Sequence, residues 1–176
     1  MRNSYAKGFT LIELLVVISI IGLLSSIVMA SLNTARQKAK VAKARAELNG
    51  LVTAVNLLIN DTGRIPDAHT TKPTESGACV TPVNGIDNEV DTNTGAAGLS
   101  ATDGNFPGWA GPYMQVPVDP WGYPYVFDDD YDCSLAPAVG CTGYGNNVRA
   151  VHSRGLNGSA LNVYDSDNVV RVLCVH

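Results

Sequence analysis

No proline occurs before Pro66, and residues 1–45 hold a single acid, Glu13. Without the ring that removes a backbone donor and clashes with the preceding turn, nothing forces an early helix to break. Charge is scarce throughout: 16% of the 176 residues are Asp, Glu, Lys or Arg, against roughly 25% in an average soluble domain. Catalytic signals are missing too. His69, His152 and His176 are scattered, no serine sits in a nucleophile elbow, and no glycine-rich loop follows a strand and opens a helix. These gaps argue against an enzyme, and His152 beside Ser153 reads as a strand neighbour. The four cysteines show no C-x-x-C spacing, which sets aside zinc knuckles and thioredoxin-like redox chemistry.

What is present begins with an apolar run. Leu11 to Ala30 carries one charge, Glu13; as a helix rising about 1.5 Å per residue it spans the roughly 30 Å of a bilayer's hydrocarbon core. It is longer than the apolar region of a secretory signal peptide, although Val28, Met29 and Ala30 would pass as a weak cleavage site that starts a secreted domain at Ser31. Charge is split along the chain. Residues 1–45 carry seven basic side chains against Glu13, a balance of +6, while residues 46–176 carry five basic and fifteen acidic ones, a balance of −10. An acidic head argues against a nucleic-acid-binding domain, because phosphate neutralisation needs clustered Lys and Arg. A basic stem is free to meet acidic partners, including the heads of its own copies.

Glu13 is the costly residue. A charge at mid-helix in hydrocarbon is unfavourable by roughly 2.5–3.5 kcal/mol on insertion scales. One reading places it near the interface as a first-turn acid that complements the helix dipole. The other has cleavage after Gly8 free an α-amino group on Phe9, which pairs with Glu13 of a neighbouring copy and fixes the register between subunits.

Gly8 to Leu24, GFTLIELLVVISIIGLL, resembles the class III signal of type IV pilins and type II secretion pseudopilins: basic leader, Gly before the cut, Phe first and Glu fifth in the processed chain. The resemblance implies that a prepilin peptidase cleaves between Gly8 and Phe9 and N-methylates Phe9, and that Glu13 serves filament assembly. Many members have Pro near the end of the apolar stretch, where this chain has Ala30. A kink there is not expected on that basis, and Gly22 with the Ser25, Ser26 pair is the remaining place for bending.

Beyond the membrane, apolar positions at Leu32, Ala35, Ala39 and Ala42, then Leu48, Leu51 or Val52, Val55, and Leu58 or Ile59 keep near the 3, 4 spacing of one helical face. The helix is expected to run to about Asn60, with Asp61, Thr62 and Gly63 as the stop. The five cations from Arg36 to Arg45 outnumber Arg2 and Lys7, so charge alone predicts the opposite membrane orientation. The prepilin resemblance and an acidic, cysteine-bearing head override it. Residues 61–112, rich in Thr, Asn, Asp, Gly and Pro, read as a long loop with a short helix. Tyr123–Phe127, Val148–Ser153 and Val169–Val175 read as strands of a small antiparallel sheet packed on the helix's second half. The expected organisation is an α+β, pilin-like fold: leader 1–8, transmembrane or filament-core half-helix 9–30, second half-helix 31–60 and globular head 61–176.

A second resemblance lies in Trp109–Phe127, WAGPYMQVPVDPWGYPYVF, similar to the segment of major type II secretion pseudopilins in which a GPY element leads to DPWG and then a strand. Asp119 and Pro120 open a tight turn and Trp121 plugs the gap between loop and stem. The family's head often binds calcium in the loop before its C-terminus. Here Ser153, Gly155, Asn157, Gly158, Asp165, Ser166 and Asp167 stand in that region, with Asn157 in place of an Asp and the later acids about two residues displaced. Asn157, Asp165 and Asp167 are the implied calcium ligands, the alternative being an Asx-rich turn. The run Asp128, Asp129, Asp130, Asp132 lacks the EF-hand Gly and Glu, its sixth and twelfth positions being Cys133 and Val139.

An even cysteine count outside the cytoplasm favours two disulfides. Cys133 with Cys141 and Cys79 with Cys174 is the expected pairing among three possible connectivities. The leading expectation is a structural subunit held by lipid in the inner membrane, single-pass with its head outside the cytoplasm. After trimming by prepilin peptidase, an inner-membrane platform polymerises it with its own copies into a helical filament, in the periplasm or at the cell surface. A secretion pseudopilus leads; a type IV pilus serving adhesion, motility or DNA uptake, and a secreted or anchored calcium-dependent binding module, are the alternatives.

Overall fold

A computed structural model describes residues 8–66, 89–135, 138–144, 148–159 and 163–175. Its elements are α1 (Leu11–Thr62), β1 (Val90–Asp91), a short 3-10 turn (Gly95–Ala97), β2 (Val126–Tyr131), β3 (Val148–Ser153) and β4 (Val169–Val175). The chain divides into two compact units, one up to Ala39 and one from Lys40 onward.

The first unit is the N-terminal part of α1. It is helical without interruption through Gly22, Ser25 and Ser26, so those residues do not break the hydrogen-bonded helix. Their hydroxyls turn inward: Ser25 donates to the Ile21 carbonyl at 2.7 Å and Ser26 to the Leu23 carbonyl at 2.8 Å. This is how a serine avoids offering an unpaired polar group to an apolar surround. Every apolar side chain described from Phe9 to Met29 is exposed, and the helix is long and apolar enough to cross a membrane.

The second unit has a core, and α1 contributes one stripe of it. Ala44, Leu48, Leu51, Val55 and Leu58, spaced 4, 3, 4, 3, are fully buried. They pack with Tyr125, Phe127, Val151 and Val169 of the sheet region and with Ala97, Leu99 and Phe106 from the loop. The helix stops where expected. Gly63 adopts the left-handed φ of 66° and its N–H donates to the Ile59 carbonyl at 2.8 Å, satisfying a terminal carbonyl at a backbone conformation that glycine takes most cheaply.

The sheet is antiparallel in the order β1-β2-β3-β4. Alternation along the strands gives it two covered faces. The inner face meets the helix; the outer face, with Val148, Ala150, Val170 and Tyr131, is buried under Cys133, Ala138, Cys141 and Tyr164. Two expectations need correction. The strand expected at Tyr123–Phe127 lies at Val126–Tyr131, because Tyr123 belongs to the turn that begins at Asp119 and Pro124 has no N–H for a ladder. Pairing instead continues through the acidic run. Within 61–112, Val90–Asp91 pairs with β2, an edge strand too short to leave a periodic signal.

Candidate functional site

The N-terminal site starts with Gly8, Phe9 and Thr10, exposed and ahead of the helix. Thr10 and Glu13 then form a reciprocal cap. Glu13 Oε2 accepts from the Thr10 backbone N–H at 2.9 Å and from its hydroxyl at 2.6 Å, while the Glu13 N–H donates to Thr10 Oγ1 at 3.3 Å. Thr-x-x-Glu is the capping-box pattern, which satisfies donors that the first turn would leave unpaired. Within a single chain the carboxylate thus already has a local role at the helix start. Arg36 and Lys38 extend from exposed positions of the same helix. Further along, Lys40 lies 5.8 Å over the Trp121 ring, and Lys43 pairs with Glu47 at 3.6 Å one helical turn on.

In the head, Asp119 organises the turn that Trp121 closes. It is buried, and its Oδ1 accepts from the Trp121 and Tyr123 backbone N–H groups, both at 2.9 Å. Its Oδ2 accepts a short bond from the Ser153 hydroxyl. Ser153 Oγ in turn accepts from the Gly155 N–H at 3.1 Å, so one carboxylate ties the turn to the end of β3 and the loop beyond. Tyr125 donates to Glu47 Oε2 at 2.6 Å, joining the sheet to the helix; burial, then the Glu47 carboxylate, raises the Tyr125 phenol's pKa far above its usual range.

The loop after β3 brings Asn157, Asp165 and Asp167 together. The Asn157 backbone N–H donates to Asp167 Oδ2 at 2.9 Å, and its side-chain amide donates to Asp165 Oδ2 at 2.7 Å. Gly155, at φ 70°, admits this approach: a Cβ there would run into the Asp167 backbone and carboxyl carbon. Burial and the hydrogen bond with Asp165 raise the Asp167 pKa; burial would also raise Asp165, but bonds from Asp167, Asn157 and Asn168 outweigh it and lower that carboxyl. Two adjacent carboxylates that settle apart in this way make an all-oxygen cluster, the donor chemistry a hard cation takes.

The acidic run in β2 does not form a loop. Asp129 pairs with Arg149, Asp132 accepts from the Ser134 N–H at 2.7 Å, and Asp128 points to the buried outer face toward His152. Burial, then the Glu89 charge, pushes the Asp128 pKa up to about 9, and burial pushes His152 down to about 4. Cys133 and Cys141 are joined by a disulfide on this same face. Cys79 lies outside the described residues, as does the side chain of Cys174.

A family model described as the prokaryotic N-terminal methylation motif matches residues 3–29. Beyond that motif, the chain is 32% identical over 126 residues to the type II secretion system core protein G of Aeromonas hydrophila, covering 71% of this chain and 74% of that relative. The chain belongs to the core protein G family. The core protein G of Escherichia coli K12 is 31% identical over 120 residues, covering 68% of this chain and 70% of that one. A third relative is shorter in its match: the type IV wide pilus major component PilA4 of Thermus thermophilus is 50% identical over 52 residues, 30% of this chain and 38% of its own. No solved structure matches. As a pseudopilin-like member of the core protein G family, the chain has a prepilin-like signal, a long apolar helix and the small antiparallel sheet expected from its apolar runs.

Two features of this core protein G relative go beyond the sequence expectations. The Thr10–Glu13 cap gives the expected first-turn acid a specific partner, Thr10, at the T-x-x-E spacing of a capping box. The approach of Asp128 to His152 leaves no local signal, since it depends on the register of β2 against β3.

Proposed function

We propose that this pseudopilin is the structural subunit of the pseudopilus of a type II protein secretion system. Prepilin peptidase cuts between Gly8 and Phe9 and N-methylates Phe9. The apolar helix holds the precursor in the inner membrane with the head outside the cytoplasm, and the assembly platform moves it into a helical filament. The observation that carries the reading is the wholly exposed apolar part of α1 with Glu13 in its first turn. Such a surface must be covered by lipid or by sister helices. In the filament, Glu13 accepts the Phe9 amine of the adjoining copy, and the Thr10 cap holds the carboxylate ready at the helix start.

The test combines mass spectrometry with imaging. The mature chain is expected to begin at Phe9 with one added methyl group, and assembled material to form fibres that Glu13→Ala abolishes. An intact leader, or fibres undiminished by Glu13→Ala, would overturn the proposal. A surface type IV pilus is the second reading, favoured by the 50% identity with the Thermus pilus component. Deleting the gene decides between them: loss of exported enzymes supports secretion, and loss of surface fibres supports the pilus.

Calcium enters as part of the same proposal. Asp165, Asp167 and Asn157 would hold it through carboxylate and carboxamide oxygens, cross-linking the turn after β3 to the one before β4. The approach of both carboxylates to one residue supports the two acids as donors; Asn157 meets them with its N–H groups while its Oδ1 accepts from the Ser159 N–H at 2.9 Å, so its amide must turn over to offer oxygen to the ion.

A further inference from the structure

The outer face of the sheet buries a second group of ligating side chains, separate from the calcium loop. Register places them. Asp128 lies opposite Ala150 and Val126 opposite His152, so Asp128 and His152 share the outer face on neighbouring strands. Val90 pairs with Phe127 on the inner face, which turns Glu89, one residue earlier, to the outer face beside Asp128. One potential ligand atom from each of Glu89, Asp128 and His152 lies within 4.8 Å of the others. His152 Nε2 stands 4.0 Å from Asp128 Oδ2.

Asp128 is fully buried and His152 is 4% exposed, yet Asp128 Oδ2 and both ring nitrogens of His152 have no hydrogen-bond partner. Leaving three such atoms unpaired in a closed interior is costly, and native interiors rarely do it without an ion or a water. The surround is aromatic: Tyr131 packs on the His152 ring with centroids 4.9 Å apart and Tyr164 packs on Tyr131 at 4.6 Å. We propose that Glu89, Asp128 and His152 form a buried site for a divalent transition metal of the zinc class, stapling β1, β2 and β3 together on the face away from the helix.

The ligand types select the ion. One imidazole with two carboxylates suits zinc and its first-row neighbours, whereas calcium takes six to eight oxygens. Zinc bonds of about 2.0–2.2 Å require the three ligand atoms to draw inward, which side-chain rotation within the pocket supplies. Its role is structural: β1 is two residues long, and the metal would add to the Asp91–Arg154 ion pair at 2.7 Å that holds it.

The experiment uses the full chain in detergent, stripped with a chelator, re-exposed to zinc or cobalt and dialysed. About one zinc per chain is expected by elemental mass spectrometry, with cobalt giving visible d–d absorption and broadening the Tyr131 and Tyr164 ring resonances. Asp128→Asn and His152→Gln should each weaken retention by tenfold or more, while Asp165→Ala with Asp167→Ala leaves it unchanged. Failure of the native chain to retain either metal overturns the proposal and leaves water as the bridge. Retention at native strength in both site variants, or sharp tyrosine resonances with cobalt bound, overturns it as well. The tyrosine signals are read on the native sequence, so they decide the matter even where a variant fails to fold.

Discussion

Single carboxylates in this chain do work out of proportion to their size, and Asp119 is the clearest case. Three donors, two backbone N–H groups and the Ser153 hydroxyl, converge on one buried side chain. Removing the acceptor strands all three, each at about 1–3 kcal/mol when no water reaches it. Asp119→Ala should therefore destabilise the head by about 3–5 kcal/mol in urea denaturation. Asp119→Asn should cost less, because the carboxamide oxygen still takes the two N–H bonds and the Ser153 hydroxyl can rotate to accept from the amide. Equal losses for the two variants would show that charge, not acceptor count, holds the turn. The DPWG sequence announced the turn. It did not announce Ser153, which is 34 residues away in sequence.

At the scale of elements, legibility followed local pattern. The α1 stripe from Leu48 to Leu58 and the bounds of β3 and β4 could be read from spacing and β-branched runs, because burial on one face writes itself into periodicity; just before that stripe, the expected Ala42 is exposed and Ala44 is buried instead. β2 was displaced because three of its six residues are aspartates, which a hydropathy reading assigns to a loop. The fold takes them by giving Asp129 an arginine and turning Asp128 to the outer face beside Glu89 and His152. The candidate cation loop was legible in composition, and its convergence on Asn157 required the fold. If that loop holds calcium as proposed, saturating ion at about a hundred times the dissociation constant adds about 2.7 kcal/mol. Chelation should then lower the melting midpoint by several degrees, and Asp165→Ala with Asp167→Ala should remove the response. A midpoint indifferent to chelator in the native chain would end the calcium proposal while leaving the filament reading intact.

Across the whole molecule the decisive asymmetry is electrical as well as apolar. Residues 1–45 carry a balance of +6 and the remainder −10, and Arg36 and Lys38 are exposed on the helix ahead of the folded head. In the filament proposed above, such cations would meet the acids of other subunits, while the Glu13 pairs would sit in a dry centre. Salt separates the two contributions: the screening length falls from about 10 Å at 0.1 M to about 3 Å at 1 M, and buried pairs are screened much less. Raising salt should loosen native filaments without dissolving them. Arg36→Glu with Lys38→Glu should move disassembly to lower salt and leave the thermal midpoint of the head unchanged, because both positions lie outside its core. Glu13→Ala, by contrast, should prevent filaments at every ionic strength. Sedimentation of sheared filaments across a salt series checks both. Charge-reversed filaments as salt-resistant as the native ones would mean that the stem cations face solvent, and that the apolar bundle and its Glu13 pairs alone hold the subunits together.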